Sequence, residues 1–201
     1  MIEFKFVRWK NFVSYGDAQT EVRFDSNKAT LVIGDNGAGK STMIDALCYA
    51  LYGKAFRAVA TTQLVNSVNT NHMEVECEFR IGKQTYLVRR GLKPRFFEVW
   101  QNGKLLNQEA NARDYQEVLE KQILKVTFKS FKQIVVLGSS NFVPFMQMAT
   151  KDRKEVIEDL LDIGIFSIMS SILKDKVSDN KDELQKLEYE RSLIENRISL
   201  L

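Results

Sequence analysis

Residues 2 to 9, IEFKFVRW, alternate apolar with charged side chains, the period of a strand with one buried and one wet face. TEVRF, residues 20 to 24, alternates likewise. ATLVIG, residues 29 to 34, is instead a continuous apolar run, which predicts a strand buried on both faces. The period then becomes helical, with Met43, Ile44, Leu47, Ala50 and Leu51 marking one face of a helix that stops at Gly53. Residues 54 to 71 carry no period. From 73 to 107 alternation returns in MEVECEFRI, a GK turn, TYLVRR and RFFEVWQNGKLL, where Asn102-Gly103 is a strong hairpin signal. An antiparallel meander is expected there. Helices are predicted over 110–125 and 127–133, a short buried strand at QIVVLG, a loop over SSNFVPFMQMAT and an amphipathic helix over KDRKEVIEDLLDI.

After Gly164 glycine and proline vanish. Val177, Asn180, Leu184, Leu187, Arg191, Ile194, Ile198 and Leu201 then recur at alternating spacings of three and four, a heptad seam with two polar interruptions. A helix over 165–201 would be roughly 55 Å long at about 1.5 Å per residue. That is too long to lie on a small domain, so the seam is expected to meet another helix. The chain divides into a lobe, 1–163, and the start of an outgoing coiled-coil helix, 164–201.

Composition changes this picture little. The chain has 201 residues and a net charge of +3, too small to argue for nucleic acid unless the charges cluster. Cys48 and Cys77 are far apart and lack metal-ligand spacing, so two buried free thiols are expected. No apolar run approaches the roughly 20 residues a bilayer needs, and a cytoplasmic protein is expected.

Candidate chemistry sits between the apolar run and the first helix. Gly34-Asp35-Asn36-Gly37-Ala38-Gly39-Lys40-Ser41 satisfies G-x-x-x-x-G-K-[ST] at every fixed position. A loop around a di- or triphosphate must turn backbone N–H groups inward, which needs positive φ and close approach, both granted by glycine. The following helix directs its dipole at the same anion. Lys40 is expected to reach the β and γ phosphates of ATP, and the Ser41 hydroxyl to ligate Mg²⁺. Hydrolysis also needs an apolar strand ending in Asp-Glu, and the sequence has none.

The stretches KNFVSYGD and LVIGDNGAGKSTMIDALCYALYGK, followed by SFKQIVVLGSSNFVPFMQMATKDRKEVIEDLLDIGIF, resemble the N-terminal ATPase lobe of the SbcC family. These are SMC-like, ABC-type ATPases of double-strand-break repair, and the likeness is greatest to the phage branch. The resemblance implies an α/β fold, the N-terminal lobe of an ABC-type head with an antiparallel β meander, running into a coiled coil. It implies that the hydrolytic carboxylates and signature motif lie on a C-terminal lobe to which the chain returns, and that two heads sandwich ATP. Nucleotide would be bound by Asn36, Gly37, Ala38, Gly39, Lys40, Ser41 and Thr42, with Asn66, Ser67 and Val68 lining it. Val13 stands where family members often place an arginine. The family's Q-loop falls at Ser139-Ser140-Asn141, so Asn141 would face Mg²⁺ or water. A partner nuclease resembling SbcD would dock at the coiled-coil base, roughly Gly164 to Asp182, and the substrate would be double-stranded DNA.

Basic residues cluster in two places, Arg89, Arg90, Lys93 and Arg95 in the meander and Lys121, Lys125, Lys129 and Lys132 beyond it. In such a family Arg90, Lys93 and Arg95 become candidate DNA contacts, reading backbone rather than bases. An SMC- or RecF-like clamp without a nuclease would share these features. A small P-loop kinase would need its whole active site within this one chain.

Overall fold

The computed structural model describes residues 2–27, 29–106, 112–136, 144–161 and 163–199. The Ser139-Ser140-Asn141 segment and Phe142 lie outside them. The chain forms two compact units, Met1–Ala149 and Thr150–Leu201.

The first unit is built on a six-stranded antiparallel sheet in the order β2-β1-β3-β4-β5-β6. Its strands are β1 (Ile2–Lys10), β2 (Thr20–Arg23), β3 (Met73–Ile81), β4 (Gln84–Leu92), β5 (Phe96–Gln101) and β6 (Lys104–Leu105). Alternation fixes which side chains point inward. Val7 and Trp9 of β1, Val75, Cys77 and Phe79 of β3, Val88 of β4 and Val99 of β5 are all buried. The opposite face is a lattice of ion pairs: Lys5–Glu78, Arg8–Glu76, Lys10–Glu74, and Arg89 with Glu74, Glu76 and Glu98. A sheet with one apolar and one charged face is the normal antiparallel arrangement. The β5–β6 hairpin turns at Asn102 and Gly103, with φ of 48° and 77°, as its sequence predicts.

The apolar face packs on helix α1 (Thr42–Tyr52), buried from Asp45 through Tyr52. It ends as expected at Gly53, whose φ of 66° gives the left-handed turn that releases the chain. Beyond the sheet come α2 (Ala112–Val118), continued by a π-helical turn over Leu119–Leu124, and α3 (Phe128–Ile134). The Thr127 hydroxyl caps α3 by accepting from the Ser130 N–H. Tyr52 packs on the rings of Phe128 and Phe131, and Phe4 meets Phe131 edge-on.

Two expected strands are absent. Residues 29–35 form no strand, and Leu31 and Ile33 are 82% and 84% exposed. A strand buried on both faces needs strands along its edges, and no described strand pairs with these residues. Val32 lines a cavity with Val22, Phe24 and Met43, but nothing among the described residues covers Leu31 or Ile33. QIVVLG also fails as a strand in its described part. The helix capped at Thr127 runs on through Ile134, leaving Val135 in a turn. Helix propagation from the Thr127 cap carries these residues instead.

The second unit holds α4 (Thr150–Leu161) and α5 (Gly164–Ser199), a helix of 36 residues. The heptad residues of α5 are exposed, as are Ile165, Phe166, Ile168, Met169, Ile172 and Leu173 before them. No helix among the described residues is long and apolar enough to cross a membrane.

Candidate nucleotide site

The loop before α1 folds as a turn closed by backbone bonds from the Ala38 N–H to the Asp35 carbonyl (3.2 Å) and from the Thr42 N–H to the Gly39 carbonyl (2.9 Å). Gly37 and Gly39 have φ of 89° and 94°, where side chains are rarely tolerated. At Gly39 space matters as well. A Cβ there would sit 2.7 Å from the Tyr15 ring. Tyr15 in turn stands edge-on to the buried Trp9, with ring centroids 5.3 Å apart. A phosphate loop is thus pressed onto an aromatic wall rooted in β1.

Lys40 reaches back across the loop. Its ammonium donates to the carbonyls of Gly34 (2.5 Å) and Asp35 (2.7 Å). Ser41 is the N-cap of α1, yet its side chain makes no capping bond, so the hydroxyl is uncommitted. These groups line a cavity of about 390 Å³ with Val13, Ser14, Asn36, Gly37, Gly39, Thr42 and Arg57. No carboxylate lines it among the described residues. A wall of N–H groups, hydroxyls and two cations, opening at a helix N-terminus, fits a polyphosphate. For Mg²⁺ the same wall offers the hydroxyls of Ser41, Thr42 and neighbouring Ser14 and the side-chain carbonyl of Asn36. The ion's other ligands would be phosphate oxygens and water.

Arg57 is the residue that sequence reasoning missed. It is held by Asp45, a carboxylate only 1% exposed on α1. The Arg57 side chain donates to Asp45 Oδ2 through Nε (2.6 Å) and pairs with it through Nη2 (2.5 Å), while its backbone N–H donates to Oδ1 (3.1 Å). A buried acid on the first turns of a phosphate-loop helix calls for a cation, and that is the only signal the sequence carried. Arg57 is still 45% exposed at its side chain, which leaves the guanidinium in the cavity wall.

Asn66, Ser67 and Val68 stand behind the cavity rather than on its wall. Asn66 is buried, donates from Nδ2 to the Val13 carbonyl (3.1 Å) and accepts at Oδ1 from the Val68 and Asn69 N–H groups. Its own N–H donates to the Asn11 carbonyl (2.9 Å). Asn66 therefore fixes the loop that carries Val13 and Ser14, while Ser67 and Val68 face outward.

The supposed DNA-contacting trio does not form one surface. Arg90 points inward and is 8% exposed. It donates from Nε to the Ala50 carbonyl (2.6 Å), and from Nη2 to the Leu51 carbonyl (3.4 Å) and to Gln116. Its guanidinium lies over the Phe97 ring, 3.6 Å from the centroid. Arg90 sits at the inward register of β4, so strand alternation turns it into a C-terminal cap of α1. Burial pushes its pKa down. Lys93 and Arg95 are exposed. Both cysteines are buried free thiols, as expected.

An AAA domain family matches residues 7–200. The chain belongs to this family. Exonuclease subunit 2 of Escherichia phage RB69 is 37% identical over 194 residues, which are 96% of this chain and 34% of that protein. Exonuclease subunit 2 of Enterobacteria phage T4 is 40% identical over 168 residues, 84% of this chain and 30% of that one. Rad50 ATPases of DNA double-strand break repair and C subunits of the SbcCD nuclease are further relatives. The chain spans about a third of the length of the phage proteins it matches. Among solved structures, an Smc head domain with an extended coiled coil from Pyrococcus furiosus superposes with a TM-score of 0.59 at 18% identity, covering 94% of this chain and 49% of that one. That likeness concerns the fold, which is an ABC-type ATPase lobe running into a long helix.

Proposed function

We propose that this chain is the ATP-holding lobe of a DNA double-strand-break repair and recombination ATPase. The observation that carries the reading is the cationic cavity around Lys40, Ser41 and Arg57, which no described carboxylate lines, following in sequence on the exposed Leu31 and Ile33. The cavity can hold the triphosphate of ATP, with Mg²⁺ at the Ser41 hydroxyl, but among the described residues it has no carboxylate to manage a hydrolytic water. The uncovered run is what a central strand looks like before its neighbours arrive. Both gaps are met by one returning C-terminal lobe, bringing strands beside Leu31–Ile33 and carboxylates beside the phosphates. A second head would close on the nucleotide from the opposite side. In the whole protein, ATP-driven closure would gate double-stranded DNA and a partner nuclease resembling SbcD. The apolar base of α5, within Gly164 to Asp182, is the natural dock for that partner.

The complete protein, purified with its nuclease, should cleave DNA in an ATP-dependent way, and Lys40→Ala should remove that dependence. Cleavage indifferent both to ATP and to Lys40→Ala would sink the reading. Deleting residues 165–173 should abolish capture of the nuclease while leaving ATP binding intact.

A further inference from the structure

A second cleft, of about 540 Å³, lies at the other end of α1. Its walls include Lys54, Thr61, Thr62, Arg90 and Arg95, with Tyr49 beneath. No carboxylate lines it among the described residues. Arg90 and Arg95 both line it, Arg90 held from within by the carbonyls that end α1 and Arg95 exposed at its mouth. Neither they nor Lys54 has a carboxylate partner among the described residues. Glu120 acts on Arg90 only through space, and its carboxylate accepts from the Gln116 amide (2.6 Å).

The sheet's outer face differs. There Lys5, Arg8, Lys10 and Arg89 each pair with glutamate. Arg90 finds no carboxylate, only the carbonyls that end α1, the Gln116 amide oxygen and the Phe97 ring. Gathering three cations without a paired counter-ion opposes folding, and the opposition is relieved when an anion enters.

We infer that this cleft binds phosphate, and that the phosphate belongs to the backbone of a nucleic acid. Its free polar groups are guanidinium, ammonium and hydroxyl, a set suited to the unesterified oxygens of a phosphodiester. Lys54, Thr61, Thr62 and Arg95 stand exposed at the mouth rather than enclosing a small ion. Gln116, the one side chain there with both a donor and an acceptor amide, is spent on the Leu51 carbonyl and Arg90, so bases go unread. The cleft shares α1 with the phosphate loop, so DNA and nucleotide would grip opposite ends of one helix. The inference rests on the reading that this protein works on DNA.

The test uses the complete protein and a labelled duplex, with anisotropy measured over a series of salt concentrations. Lys54→Gln with Arg95→Gln should weaken binding on the order of tenfold and flatten the log K against log salt slope by about 1–2, near 0.9 for each phosphate no longer neutralised. ATP binding should not change. Lys93→Gln removes an exposed charge outside the cleft and should leave the slope within error. An unchanged slope in the double variant overturns the assignment, as does an equal loss in Lys93→Gln. If the wild type binds no duplex at low salt, the DNA reading itself fails and takes this site with it. Pyrophosphate is the second probe, added with the phosphate loop already saturated by ATP. If it raises the melting temperature of the wild type but not of the double variant, while DNA binding is equal in both, the cleft serves a free anion and the nucleic-acid assignment is wrong.

Discussion

The antiparallel sheet and the Leu31–Ile33 run are apolar stretches of the same unit, yet only one is covered. Every strand of the sheet finds its partners within the first 105 residues, and α1 closes over the inner face. In the run that feeds the phosphate loop, Leu31 and Ile33 find no cover among the described residues. Apolar pattern reports what a segment is meant to bury against, whether or not the cover is at hand. Where the cover is local, pattern and structure agree. Where it is distant, the pattern survives as exposed surface.

The contrast can be broken most sharply by paired truncations. Phe79→Ala, in the covered face, should cost about 3–5 kcal/mol of stability in urea unfolding. Ile33→Ser should cost this chain no more than about 0.5 kcal/mol, the usual range for an exposed site. In the complete protein the same Ile33→Ser change should become clearly destabilising. Equal costs in the short and complete chains would mean that no lobe covers the run.

Gly39→Ala comes next. It combines a positive φ with a Cβ pressed on Tyr15, a strain of about 1–3 kcal/mol, and should weaken ATP binding at least tenfold in a titration. Adding Tyr15→Ala should restore part of that loss, since the steric term goes and the backbone term remains. Arg57→Ala should weaken ATP binding by roughly 1.5–3 kcal/mol if its guanidinium meets phosphate. Arg57→Lys should recover little, because Asp45 holds a fork rather than a point charge.

The last effect, which appears only at high pH, belongs to the covered side. Burial, with the Asp45 charge behind it, pushes the Cys48 thiol from 9.0 up to about 12. The folded state therefore keeps a proton that the unfolded chain gives up. The contribution is fully present below pH 9 and is lost as pH climbs toward 12, by at most about 1.4 kcal/mol per pH unit. Cys48→Ala should make stability fall less steeply over that window. At pH 8 both thiols should resist a disulfide reagent until the protein is unfolded.

Much of the fold was legible because its determinants are local. Alternation gave β1 to β5, Asn102-Gly103 gave the hairpin, Gly53 gave the end of α1, and the break at Gly164 gave the long helix. The misreadings at ATLVIG and QIVVLG share one cause: a strand is a property of its neighbours, and sequence pattern is silent on whether they are present. At the site, the glycines and Lys40 were legible because backbone geometry demands them. Arg57 was not, since its role depends on Asp45 twelve residues away and on a loop without periodicity. Arg90 was misread as surface charge because a run of Arg-Arg hides which of the two strand alternation turns inward.

The central claim is that residues 34–41 grip ATP in a site completed from elsewhere. Nucleotide binding and turnover should therefore be measured on residues 1–201 alone. The account predicts ATP binding that Lys40→Ala removes, with hydrolysis at background until the remainder of the protein is supplied. Robust turnover by the isolated chain would contradict it.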